Sequence, residues 1–189
     1  KASFFPTDTG VGEVEIVINN NDLNIEFNGG KVVFDEKTGE MTSYVRNGCE
    51  YLNSNPADNK KGFAPNIVRA SLDNDTYGFP HKSWDLIKLH EAETKLVDFR
   101  HANHSAYALV EASYVVKKGF KKFFRIDVVY TVFGNGLVNV ESTLNKLLFG
   151  CPEIQRFGVT VELPKEFNIV EFYGRGSHEK MENLCDMKD

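Results

Sequence analysis

Apolar residues fall at every second position along much of the chain. Val14, Ile16 and Ile18 alternate with polar or smaller partners, and Leu23, Ile25 and Phe27 repeat the pattern after a polar turn at 19–22. Successive side chains of a strand point to opposite faces of a sheet, so a period of two predicts half-buried β-strands. Residues 32–34 and 41–45 flank Thr38-Gly39, where a glycine can take positive φ without a Cβ clash, and this predicts a hairpin. Farther on, 106–116 and 122–132 predict two long strands joined through 117–121. Gly134-Asn135-Gly136 then leads into a strand over 137–144, in the manner of a meander. Residues 157–163, closed by Pro164, and 169–173, just before Gly174 and Gly176, complete about nine strands.

The middle of the chain breaks this rhythm. Residues 53–61 are polar and turn-rich, and 73–83 carry aspartates, Gly78 and Pro80 with little periodicity. Long loops of this kind in a β domain are often functional. Ser83 is a plausible N-cap for a short helix over 84–88. No repeat of 20 to 50 residues is present, which argues against a propeller or solenoid. Each alternating strand has one apolar face to hide, and two stacked antiparallel sheets hide it most economically. The expectation is an all-β sandwich, a single domain over 1–189.

An apolar fraction of 41% supplies a core for 189 residues without a disulfide or metal staple. The formal charge of −5, from 22 basic and 27 acidic residues, provides no large positive field. Nucleic acid and an anionic membrane are therefore not expected partners. The one basic run, Lys117, Lys118, Lys121 and Lys122, brackets Gly119 and reads as a solvated turn. Cys49, Cys151 and Cys185 are odd in number and widely spaced, which fits neither a disulfide framework nor a zinc motif. Residues 1–10 hold no apolar stretch of signal-peptide length, and no window reaches the roughly 18 apolar residues of a membrane span.

The densest polar group is Arg69, Asp73, Asn74 and Asp75, with His81 and Trp84 following. The aspartate-asparagine-aspartate triplet could bind calcium, supply an acid/base pair, or form a turn in which its side chains bond their own backbone. It lacks the ligand spacing and closing glutamate of a calcium hand, so the turn is the leading reading. A second group, Gly174-Arg175-Gly176-Ser177-His178-Glu179, follows a strand but matches neither phosphate-binding glycine motif. Arg175 and Glu179 could pair within their own domain or stand near a ligand. The five histidines show no HxxxH spacing and no serine sits in GxSxG, so no hydrolytic triad is visible. A glycosidase needs two carboxylates across a sugar, and the sequence selects no such pair. No catalytic or metal-ligating residue is assigned.

Several segments in order resemble the small-chain domain of glycoside hydrolase family 2 β-galactosidases. Phe34-Asp35-Glu36-Lys37-Thr38-Gly39-Glu40-Met41 is similar to the family's opening hairpin. Asn66-Ile67-Val68-Arg69-Ala70-Ser71-Leu72-Asp73-Asn74-Asp75 resembles its arginine-alanine and aspartate-asparagine-aspartate segment, with Trp84 at about the family's distance. Pro152-Glu153-Ile154-Gln155-Arg156-Phe157-Gly158 and Leu163-Pro164 resemble the strands preceding its aromatic-tyrosine-glycine-arginine-glycine turn, here Phe172-Tyr173-Gly174-Arg175-Gly176. The likeness spans 14–182. The chain departs from it at Ser177, where the family usually has proline, and at Met181, Asn183 and Leu184, where tyrosine, aspartate and arginine are expected.

The resemblance implies a supersandwich of antiparallel sheets, galactose mutarotase-like in shape, packed on a catalytic (β/α)-barrel that lies earlier in a parent chain. In such a parent, two barrel glutamates hydrolyse terminal β-D-galactosides with retention, and Mg and Na or K ions serve the barrel, with no cofactor on this domain. The fragment would be inactive alone. Arg69, Asp73, Asn74, Asp75, Trp84, Arg175, His178 and Glu179 would face the barrel or the active-site mouth on two loops, 73–93 and 174–179. The implied partners are the barrel, other parent domains and a galactoside. A domain cut short would expose strand edges and could self-associate. Reduced-looking cysteines favour the cytoplasm, with a periplasmic or secreted location open to a parent carrying a signal. Two other readings are a free carbohydrate-binding module, stacking a sugar on Trp84, Tyr77 and Tyr173, and an aldose epimerase-like enzyme with a histidine and glutamate pair.

Overall fold

The computed structural model describes residues 12–53, 62–69, 88–148, 151, 154 and 156–169. The first antiparallel sheet has five strands in sequence order, β1 (Glu15–Asn19), β2 (Asp22–Phe27), β3 (Gly30–Asp35), β4 (Met41–Arg46) and β5 (Cys49–Glu50). Its turns follow from side-chain chemistry. Asn20 and Asn21, between β1 and β2, and Asn47-Gly48, between β4 and β5, all take positive φ, the twist that two-residue hairpins require. Asn47-Gly48 is the strongest short hairpin signal in the sequence. It adds a strand, β5, that alternation did not predict.

Past β6 (Ala64–Asn66) and a 3-10 turn at Leu89–Glu91, four long strands form the second sheet. These are β7 (Glu93–Asn103), β8 (Tyr107–Lys118), β9 (Lys121–Phe133) and β10 (Val138–Lys146), in spatial order β10-β9-β8-β7. β11 (Gly158–Thr160) pairs with β6 as a small separate ribbon. The turn predicted over 117–121 shrinks to Gly119-Phe120, because Lys118 pairs with Lys121 in the ladder.

The inner face of the second sheet is set by strict alternation. Ala108, Val110, Ala112, Tyr114 and Val116 on β8, with Phe124, Ile126, Val128, Tyr130 and Val132 on β9, are all buried. Leu23, Ile25, Phe27, Val32 and Phe34 of the first sheet join them in one core. Phe34 meets Tyr130 edge-on with ring centroids 4.9 Å apart, the geometry favoured by the ring quadrupoles. Tyr44 donates its hydroxyl to the Gly136 carbonyl at 2.8 Å, and Tyr114 donates to Gly39 at 2.8 Å. Both bonds cross from one sheet to a turn of the other. The expected all-β sandwich of antiparallel sheets is what these contacts build.

One expectation needs correction. β7 is eleven residues long and was not predicted, and the barrel-facing loop expected over 73–93 therefore ends earlier, since Leu89–Glu91 form the 3-10 turn and Glu93 opens β7. The reason is local. β7 is an edge strand with a bulge between Leu96 and Asp98, which leaves Val97 55% exposed and breaks the period of two. The predicted helix over 84–88 lies outside the described residues except for Lys88, which has φ 50°, a left-handed conformation that no helix continues. The last predicted strand, 169–173, also lies outside them except for Ile169, which is not in a strand. Cys49 is exposed and Cys151 is buried, both unbridged, while Cys185 is outside the described residues.

Candidate functional site

The segment leading to Arg69 is fixed by its own asparagine. Asn66, at the end of β6, accepts the Val68 N–H on Oδ1 at 3.0 Å and donates from Nδ2 to Thr160 Oγ1 of β11, also at 3.0 Å. The first bond is a turn in which the side chain substitutes for a backbone partner. The second ties the β6 end to the ribbon. Ile67 is buried just beyond it, and Leu89, where the chain returns, is buried in the same core. The two flanks of the intervening segment are thus anchored together on the sandwich.

Between these anchors and β7 run two adjoining cavities that share Ala64, Pro65 and Thr94. One, of about 260 Å³, is lined by Asn66, Val68, Leu89, Val116 and Thr160 among others. The other, of about 270 Å³, is lined by Lys37, Thr38, Glu40, Lys95, Leu96 and Tyr114. Burial pushes the titration of Tyr114 and Tyr130 far up, and the charge of nearby Glu40 adds to both. Both phenols therefore stay protonated near neutral pH, and Tyr114 acts as a donor, to the Gly39 carbonyl.

The displaced carboxyls point away from acid catalysis. Glu91 is held below its ordinary value by a hydrogen bond from Lys118 Nζ at 2.6 Å, which with Lys88 outweighs the cost of desolvation. Asp127 lies on the outer face of the second sheet. Partial burial would raise it, but hydrogen bonds from Ser113 at 2.6 Å and Arg125 Nε at 2.8 Å outweigh that and lower it. A general acid needs a raised carboxyl, so neither group fits that role. Among the described residues no group of three His, Cys, Asp or Glu is placed to hold a metal.

Of the sequence-predicted site residues, the structure places Arg69 alone, partly buried just past Val68. Asp73, Asn74, Asp75, Trp84, Arg175, His178 and Glu179 lie outside the described residues, as do Tyr77, His81 and Tyr173. The ribbon bears on how the two predicted loops relate. In antiparallel register Gly158 lies opposite Asn66 and Thr160 opposite Ala64. The chain toward Arg69 and the chain toward Gly174 therefore leave the ribbon at opposite ends. The cleft residues Lys37, Glu40, Thr94, Lys95 and Thr160 were missed, because each is an ordinary surface type whose placement depends on inter-sheet packing. Lys37 and Glu40 entered only as parts of the hairpin motif at 34–41.

A family model described as "Beta galactosidase small chain" matches residues 27–188. Similar proteins include a beta-galactosidase of Staphylococcus xylosus, 26% identical over 168 residues, covering 87% of this chain and 16% of that protein. Another, from Priestia megaterium, is 26% identical over 178 residues, covering 90% of this chain and 15% of that protein. A third, from Enterobacter cloacae, is 25% identical over 155 residues, covering 77% and 14% respectively. The chain thus spans less than a fifth of the length of the curated relatives it matches.

Proposed function

Because the chain belongs to the β-galactosidase small-chain family, we propose that it is a non-catalytic lobe of a family 2 β-galactosidase that hydrolyses terminal β-D-galactosides with retention. One observation carries this reading. The match covers nearly the whole chain but about 15% of the Priestia protein, leaving ample length elsewhere for a catalytic barrel. In this reading the barrel supplies a nucleophilic glutamate and an acid/base glutamate. The Mg and Na or K ions also belong to the barrel in this reading, as the family resemblance implies. The lobe packs on the barrel and shapes the mouth of the active site through Arg69, Asp73, Asn74, Asp75 and Trp84 on one loop and Arg175, His178 and Glu179 on another. The galactoside is the parent's substrate. Anchoring of Ile67 and Leu89 in the core supports the first loop's role, because a loop must have fixed ends to position polar groups against a neighbour.

The test uses the parent enzyme and the chain side by side. Asp73→Ala in the parent is expected to raise KM or lower kcat for a nitrophenyl galactoside at unchanged thermal stability. Unchanged kinetics with unchanged folding would overturn the loop assignment. The purified chain is expected to leave the same substrate intact, and turnover by the chain alone would overturn the non-catalytic reading.

A further inference from the structure

The β8–β9 hairpin ends in Lys117-Lys118-Gly119-Phe120-Lys121-Lys122. Gly119 has φ 56°, so the turn is made by the glycine, and nothing in its geometry calls for an aromatic at the next position. Phe120 is nevertheless fully exposed, and Leu147 and Leu148 are exposed beyond β10 at the same end of the sheet. Leu147 donates its N–H to the Phe123 carbonyl at 2.8 Å, which holds it close to the hairpin. Lys118 is engaged by Glu91 at 2.6 Å and Lys117 approaches Glu93 at 4.0 Å. Lys121 and Lys122 flank the phenyl ring in sequence on its other side. The result is an apolar knob in a basic collar.

At the other end of the sandwich the chemistry is reversed. An open cleft of about 390 Å³ is lined by Glu13, Glu15 and Glu26 around Val14 and Phe27. Glu15 and Glu26 are direct cross-strand partners, a destabilising like-charge contact, with Lys31 opposite Glu26 on the far side and no cation opposite Glu15 among the paired strands. The cleft belongs to the end where Val14 bonds Ser105 and Asn28 bonds Gly134, whereas the knob is at the far end of β8 and β9. At about 3.4 Å per residue the strands separate them by roughly 40 Å. The chain as a whole is −5, so a lysine-rich tip finds its complement on the rest of the same molecule but cannot reach it within one copy.

We propose that the Phe120 hairpin tip of one copy docks into the Glu13, Glu15 and Glu26 cleft of a second copy. The contact is head-to-tail. A heterologous contact of this kind leaves one tip and one cleft unused at the ends, so it propagates instead of stopping at a two-fold dimer.

Sedimentation velocity on the 189-residue chain, up to about 1 mM, where a weak contact would be populated, tests this directly. The average mass is expected to rise with concentration and to fall back at about 1 M salt, where screening is confined to about 3 Å. Phe120→Ser, which keeps the cleft, and the double variant Glu13→Lys with Glu15→Lys, which keeps the tip, should each be monomeric at all concentrations. Mixed, they should form a discrete 1:1 dimer, because one supplies the only working tip and the other the only working cleft. Far-UV circular dichroism on each variant confirms folding, and all three positions are exposed. A wild-type chain that stays monomeric overturns the proposal. So do variants that still associate alone, which would point to strand edges, and a mixture that remains monomeric.

Discussion

Tyr114 brings a hydroxyl to the seam between the sheets, where its bond to the Gly39 carbonyl at 2.8 Å is buried. Gly39 has φ 72°, and a Cβ there would lie 2.7 Å from both the Tyr114 hydroxyl and Leu96 Cδ1. The two residues therefore fix each other. Tyr114→Phe leaves a buried carbonyl without its donor, and a loss of about 1–3 kcal/mol is expected, read from the urea midpoint. On the outer face, Asp127 gives a pH signature. Its folded-state titration lies below the ordinary value, so the native carboxylate binds protons less readily than the unfolded one. Its contribution is complete above the unfolded value of about 4 and is lost as pH falls through the lower folded value. Asp127→Asn should cost stability at pH 7, and its deficit relative to wild type should shrink toward pH 2. Urea unfolding at both pH values checks this, and a deficit that does not change with pH would remove the carboxylate's role.

At the scale of elements, legibility tracked burial. β8 and β9 were readable to within one or two residues because one face of each is packed and the other solvated. The alternation in sequence is the direct image of that asymmetry. β7 has little of it: most of its residues are exposed, and its bulge shifts the phase between Leu96 and Asp98. β5 and β6 are too short for periodicity to register, although Asn47-Gly48 carries a hairpin turn that could have marked the first of them. The candidate cleft was hidden for a different reason. Lys37 and Lys95 line one cavity from segments far apart in the chain, and only the stacking of the two sheets makes them neighbours. Arg69 was legible as polar and its anchor Asn66 as part of a motif, but the Asn66–Thr160 bond joins residues 94 apart in sequence. The same logic of pairs gives a prediction for β1. Across the sheet, Glu15 faces Glu26, and Glu26 faces Lys31 on its other side. Glu15→Lys would convert a like-charge contact into an alternating ladder. It is expected to stabilise the chain by about 0.2–1 kcal/mol in low salt, with the gain reduced in high salt. A thermal scan at two ionic strengths decides it, and a loss of stability in low salt would show that the glutamate pair is relieved by its surroundings.

At the scale of the whole molecule, the question is whether two meanders, each built from neighbours in sequence, behave as one unit. Among the described residues the named ladders lie within each sheet, β1 to β5 in one and β7 to β10 in the other, and Met41 of β4 also bridges Phe63 beside β6. The sheets are joined through the shared interior, with Phe34 against Tyr130 and the Tyr44 and Tyr114 hydroxyls bonded to turns of the opposite sheet, and at one end by the backbone bonds of Val14 to Ser105 and Asn28 to Gly134. An isolated sheet would expose one apolar face and lack the burial that offsets chain entropy. The two sheets must then unfold together. Phe34 is fully buried at their junction, and Phe34→Ala should cost about 3–5 kcal/mol through lost burial and an unfilled cavity. Far-UV circular dichroism follows strand content in both sheets, while near-UV circular dichroism follows tyrosines such as Tyr114 and Tyr130 in the second. In the variant the two signals are expected to shift to lower urea concentration by the same amount and to remain superimposable. If the near-UV transition stayed in place while the far-UV signal split, the second sheet would be stable without the first, and the core between them would be an interface between two units.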